Sequence, residues 1–131
     1  MTYRLLADGL VVVHAAFVLF VVLGGLAGLR WPPVLLAHLP ALLWGAYAEL
    51  TATVCPLTPL ENQWRALAGQ DGYGGSFVEH YLLPVLYPPG LAAADQRWLG
   101  VLLVAGNVVV YAACFVRLHQ RRRRGALPPP E

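Results

Sequence analysis

Lysine is absent from this 131-residue chain, and charge of either sign is scarce, with nine arginines, seven acidic residues and 12% charged residues in all. A soluble domain carries about 25% charged residues, so a water-exposed globule is excluded. The two cysteines, Cys55 and Cys114, are too few for a disulfide framework. There is no CxxC or HExxH pair, phosphate-cradling glycine loop or dinucleotide fingerprint. No nucleophile and base are arranged for catalysis either; Thr58 and Ser76 suit helix caps better.

What the chain has in quantity is apolar surface: 58% hydrophobic residues and a mean hydropathy of +0.58. Both values point to a single all-α membrane domain over residues 1–118. The first apolar run, about Leu5 to Leu29, imitates a signal peptide because Arg4 precedes it. It is far longer than the roughly 7–15 residues of a signal core, so it reads as a retained span. Pro32 and Pro33 then force a tight connection. A second span runs from Val34 to about Val54, ended by Cys55-Pro56, and makes an antiparallel hairpin with the first. The third span is Trp98–Leu118.

Between spans two and three lies a cap segment, residues 55–97. Thr58 or Pro59 starts a short helix through Leu67, with Glu61 in its first turn, where the helix dipole favours a carboxylate. Trp64 suits the membrane interface. Residues 76–90 open on a capping box, Ser76 with Glu79. Their apolar run is interrupted by Pro84 and ended by Pro88-Pro89, which predicts a re-entrant or interfacial helix rather than a full span. The expected architecture is therefore three spans plus that short helix, with four spans as the alternative.

Charge sets the orientation. Five arginines, Arg117 and the run Arg121, Arg122, Arg123 and Arg124, crowd the C-terminal end. Such a cluster beside a span anchors to anionic headgroups on the cytoplasmic side, here of a bacterial inner membrane. That explanation leaves little for a nucleic-acid partner. Residues 119–131 read as a basic, disordered cytoplasmic tail. In the three-span arrangement the cap lies outside, and Cys55 and Cys114 sit at opposite faces. Four spans would put them on the same side.

Ionisable groups inside spans are expensive and point to function by default. Here they are Asp8, His14, His38 and Glu49. At about 1.5 Å rise per residue, His14 and Glu49 both stand roughly 24 Å from the tight turn, while His38 stands only about 7 Å from it. The two histidines are thus at different depths, against a haem held between them. His14 shares a helix face with Val18, Val21, Gly25 and Gly28, and His38 with Ala41, Gly45 and Glu49. Gly24 and Gly28 form a small-xxx-small pair for close helix approach. Gly100, Leu103, Asn107, Tyr111 and Cys114 line the third span, with Asn107 as an interhelical hydrogen-bond donor. The outer end thereby gathers His14, Glu49, Cys55, Glu61, Glu79 and His80 as a candidate polar site.

The blocks LADGLVVVHAAFVLFVVLGG, HLPALLWGAYAEL, CPLTPLENQWR and GYGGSFVEHYLLPVLYP, in this order and spacing, closely resemble domain-of-unknown-function family 2784, small bacterial integral membrane proteins. The resemblance covers about residues 5–116. It implies no activity, substrate or cofactor, and its motifs fall on the polar residues already singled out. Two function classes stay open. The first is a non-enzymatic accessory subunit or assembly factor that docks a membrane-protein partner, or a second copy, within the lipid bilayer; no cofactor is expected in that case. The second is a site-bearing protein that binds a metal, haem or quinone, or relays protons, at the outer end.

Overall fold

The computed structural model describes residues 1–86 and 94–125, and among them every regular element is helical. α1 covers Thr2–Ala27, α2 Val34–Thr51, α3 Leu57–Leu67, α4 Leu83–Leu86 and α5 Ala94–Gly125. A π-helical turn, Val78–Leu82, leads directly into α4. Three helices are long and apolar enough to cross a membrane: Thr2–Ala27, Val34–Thr51 and Arg97–Arg124 within α5.

The first hairpin follows from proline chemistry. Pro32 and Pro33 occupy the entry to α2, where no intrahelical N–H is required. Their carbonyls accept from Leu35 N at 3.0 Å and Leu36 N at 3.1 Å. α2 also carries Pro40 inside its length, a placement that spanning helices tolerate when neighbouring groups satisfy the freed backbone. The helix ends at Thr51, earlier than the expected Val54. Ala52 takes a left-handed conformation with φ 51°, and Thr53 N bonds back to Ala48 O at 2.9 Å. The chain is therefore reversed before Pro56 is reached.

The described part of the segment that follows Phe77 is too short to span a bilayer by itself. Val78–Leu86 is about 13 Å long at 1.5 Å per residue, against roughly 30 Å of hydrocarbon. Leu83 N bonds Val78 O, five residues back, which widens the ladder immediately before Pro84, a residue with no N–H to donate. The expected end of this segment at Pro88-Pro89 lies outside the described residues. α5 continues as helix past the expected Leu118 and carries Arg121–Arg124 on it; residues 126–131 lie outside the described part.

α1 is the centre of the bundle, touching α2, α3 and α5. The close approaches rest on glycine. A Cβ on Gly24 would stand 2.6 Å from the His38 ring, and one on Gly45 would stand 2.8 Å from Val21. The α5 stripe foreseen from spacing is the buried one: Gly100, Asn107 and Cys114 face inward. Leu5, Val12, Leu19, Leu43, Leu102, Val108 and Phe115 face outward and are exposed. On a water-soluble protein that belt would be an aggregation liability, whereas a hydrocarbon surrounding removes its cost.

Candidate functional site

Three polar constructions emerge from the helices, and the third lines a cavity beneath the cap. The first is a knot near the tight turn. His38, 0% exposed, lies with Nδ1 2.9 Å from the Tyr111 hydroxyl and Nε2 3.1 Å from the Val21 carbonyl. A carbonyl only accepts, so Nε2 carries the proton and Nδ1 accepts from the tyrosine. Phe20 meets the ring edge-on, with centroids 5.3 Å apart. One imidazole thus joins α1, α2 and α5. The interhelical role expected of Asn107 falls to His38 instead. The Asn107 amide donates to Leu103 O of its own helix at 3.0 Å, because its carbonyl oxygen is turned toward Gly25.

The second construction holds the cap. Glu61 is 0% exposed and receives Arg65 Nε at 2.9 Å, the Tyr73 hydroxyl at 2.8 Å and the Tyr81 hydroxyl at 3.1 Å. α3 begins at Leu57, one residue before the expected start, which takes Glu61 out of the first turn. Its charge is balanced by a guanidinium and two phenols rather than by the helix dipole. Thr58 is buried and does not cap α3. Burial, followed by the bond to Glu61, pushes the Tyr73 hydroxyl well above the usual phenol range. Burial and the Glu61 charge raise Tyr81 likewise. Burial opposes the Arg65 charge, but Glu61 and the phenols more than offset it and raise its pKa. Tyr3 of α1 stacks on Trp64 of α3, centroids 5.8 Å apart, and pins the cap helix to the first span.

The third construction is a cavity of about 340 Å³ under the cap. α1 contributes His14, Val18 and Val22; α2 contributes Trp44, Ala48 and Glu49; α5 contributes Leu99, Leu102 and Leu103. Cys55, Ser76 and Phe77 close it from the cap side. His14 is 3% exposed, stacks on Phe77 with centroids 4.1 Å apart, and its Nδ1 has no hydrogen-bond partner among the described residues. The capping box foreseen at Ser76 is present, with Glu79 N donating to Ser76 Oγ at 3.1 Å and Ser76 N to Glu79 Oε2 at 3.4 Å. It fixes the turn that brings Phe77 over His14.

The six candidate residues therefore divide. His14, Glu49 and Cys55 line the cavity, and Glu61 anchors the cap beside it. Glu79 is exposed in the capping box, and His80 is exposed and stacks on Tyr73 with centroids 4.0 Å apart. Among the described residues, no three His, Cys, Asp or Glu side chains come together to hold a metal ion. His14 and His38 serve separate constructions, which leaves no bis-histidine haem seat between them. Arg65, Tyr73 and Phe77 were missed from sequence, and Tyr81 was marked only by the family motif. The i,i+4 spacing of Glu61 and Arg65 was the legible signal; the tyrosines approach from 12 and 20 residues away.

A family model described as "Protein of Unknown function (DUF2784)" matches residues 4–112. The chain belongs to the DUF2784 family. No curated protein and no solved structure matches it. The family segment contains every residue lining the cavity, the whole Glu61 network and the His38–Tyr111 pair. The basic run Arg121–Arg124 lies beyond the DUF2784 match.

Proposed function

We propose that this DUF2784 protein binds a small apolar molecule drawn from the lipid phase, with the ligand seated under the cap and His14 as its polar contact. One observation carries the reading: an apolar cavity of about 340 Å³ walled by spanning helices and lined by the buried His14, whose Nδ1 has no hydrogen-bond partner among the described residues. Ligand pockets are commonly about 300–1,000 Å³, mostly apolar, with few convergent polar groups. An accessory subunit has no need of such a space, so the site-bearing alternative is preferred. Retention of one apolar molecule per chain after gentle purification, detected by solvent extraction and mass spectrometry, is the expected result. Ala48→Phe, which fills the cavity, should abolish it. An empty wild-type protein that co-purifies with a fixed protein partner would restore the accessory reading.

The same proposal sets the protein in a bacterial inner membrane with the basic C-terminal end of α5 in the cytoplasm and the cap outside. The arginine concentration supports this orientation. A membrane-impermeant thiol reagent should then label Cys55, which is partly exposed, in intact cells. Protection that lysis relieves would reverse the orientation.

A further inference from the structure

The arginines at the end of α5 take no part in the cavity, the His38 knot or the cap. Their depth can be read from the bundle. Cys114 Sγ donates to Gly25 O at 3.8 Å, so those two residues stand level. From there α1 has about 7–8 Å of rise left before Arg30 in the tight turn, while α5 runs on as helix to Gly125. Gly100, Asn107, Cys114 and Arg121 recur every seven residues on one stripe. The first three are buried and Arg121 is exposed, because α5 has by then passed the turn that joins α1 to α2.

The hydrocarbon boundary falls just before this point. Phe115 and Val116 are 72% and 51% exposed, which suits lipid-facing side chains, and Trp31 in the turn is 71% exposed, which suits the interface. Beyond Leu118, Arg121 lies about 4–5 Å further along the axis and Arg124 about 9 Å. A headgroup layer is about 5–7 Å deep. At about 100° per residue, consecutive arginines at 121–124 point to every side of the helix. The helix therefore carries a ring of guanidiniums at headgroup depth, whereas a disordered tail would scatter them through solution.

Nothing nearby in the chain neutralises this ring. No acidic residue occurs from Arg97 to Arg124, or in the turn from Gly25 to Val34. Arg30, Arg117 and Arg121–Arg124 are all exposed, and among the described residues none of them pairs with a carboxylate. Arg123 Nε donates to His119 Nε2 at 2.9 Å. The balancing anions must come from outside. A guanidinium binds phosphate oxygens through two parallel hydrogen bonds, and the phosphates present at this depth are those of the lipids.

From the depth of the ring, its full circumference and the missing acids we infer that Arg121–Arg124, with Arg30 and Arg117, form a binding site for anionic phospholipids, holding several phosphodiester headgroups around the helix. The inference is separate from the cavity reading and needs only that α5 spans a bilayer.

The test uses the purified full chain in phosphatidylcholine vesicles carrying a trace of spin-labelled phosphatidylglycerol or spin-labelled phosphatidylcholine. Electron paramagnetic resonance reads the fraction of each label immobilised by the protein. Phosphatidylglycerol should be preferred roughly fivefold, and the preference should fall as salt rises. Replacing all four residues, Arg121→Gln through Arg124→Gln, keeps good helix formers outside the bundle and should bring the preference close to one. A four-residue Gly-Ser insertion after Leu118 keeps the charges but frees them from the helix, and should lower the preference as well. Equal immobilisation of the two lipids would overturn the inference, as would an undiminished preference in either variant. Inorganic phosphate displacing the labelled lipid more than chloride does at equal ionic strength would make free phosphate the ligand and overturn it. So would displacement by a single-stranded oligonucleotide, which would give the ring to a soluble polyanion. Each of these failures leaves the cavity reading standing.

Discussion

The His38 imidazole and the Tyr111 hydroxyl, 2.9 Å apart, connect the second and third spans at a point where His38 is fully buried and Tyr111 half-buried. With the Val21 carbonyl as the other partner of His38, the pair links all three spanning helices. Removing the hydroxyl leaves Nδ1 without a donor. A buried unpaired group costs about 1–3 kcal/mol, but hydrogen bonds between spanning helices average only about 0.6 kcal/mol. Tyr111→Phe should therefore cost about 1 kcal/mol, read as lowered resistance to denaturation in mixed detergent micelles. An unchanged midpoint would mean that the bond contributes nothing net.

The glycines beside His38 give a second expectation. A methyl group at Gly24 would stand 2.6 Å from His38 Cδ2, and the imidazole cannot retreat without losing its two bonds. Gly24→Ala should cost about 1–3 kcal/mol by overpacking. Gly106, on the same bundle, has open space where its Cβ would go. Gly106→Ala should be neutral or slightly stabilising, since alanine is the better helix former by about 1 kcal/mol. Equal effects at the two positions would discredit the close approach.

Glu61 holds the cap by three hydrogen bonds to its carboxylate, one of them also an ion pair with Arg65. Hydrogen bonds to a charged group are worth about 1.5–3 kcal/mol each when removed. Neutralisation in Glu61→Gln keeps the shape and halves the acceptor capacity. A loss of roughly 2 kcal/mol in cap stability is expected. The readout is faster thiol labelling of Cys55, which borders the cavity beneath the cap, while the spans stay folded. Labelling at the wild-type rate would separate Glu61 from cap closure.

Alkali should loosen the same cap. Tyr73 and Tyr81 both sit above the usual phenol range, so the folded protein keeps protons that the unfolded chain releases. Their contribution is complete below the ordinary phenol value of about 10 and is lost as pH rises beyond it. Unfolding midpoints should be level between pH 7 and 9 and then fall, and Tyr73→Phe should flatten the decline. A cap that gains stability above pH 10 would contradict the raised values.

Much of this molecule is written in hydropathy and proline placement. Three runs of apolar residues, each bounded by proline, tryptophan or arginine, can do nothing in water that they do not do better in a bilayer, and their lengths set the spans. The Ser76–Glu79 box was legible because its bonds are local, three residues apart. The shared height of His14 and Glu49 was legible because helical rise is uniform, and both stand on the cavity wall. The stripe Gly100, Asn107, Cys114 was legible from period alone.

The partners of those residues were decided by tertiary structure. Helical phase says which face a side chain occupies, but not which of its atoms finds a hydrogen bond. Asn107 and His38 were both on inward faces, and the geometry of the Gly24–Gly25 cradle gave the crossing bonds to His38. Glu61 was read as a carboxylate in a helix first turn and a member of the outer-end polar site. It became the buried hub of the cap because a loop of glycines folds Tyr73 and Tyr81 back onto it. The cavity itself is a property of three helix axes and a short π turn together, and space between elements leaves no mark on any one of them. Sequence alone determined that the chain is a membrane bundle with polar groups at one end. The packing of α1, α2 and α5 beneath the cap decided that those groups divide into a lock, a latch and a cavity wall.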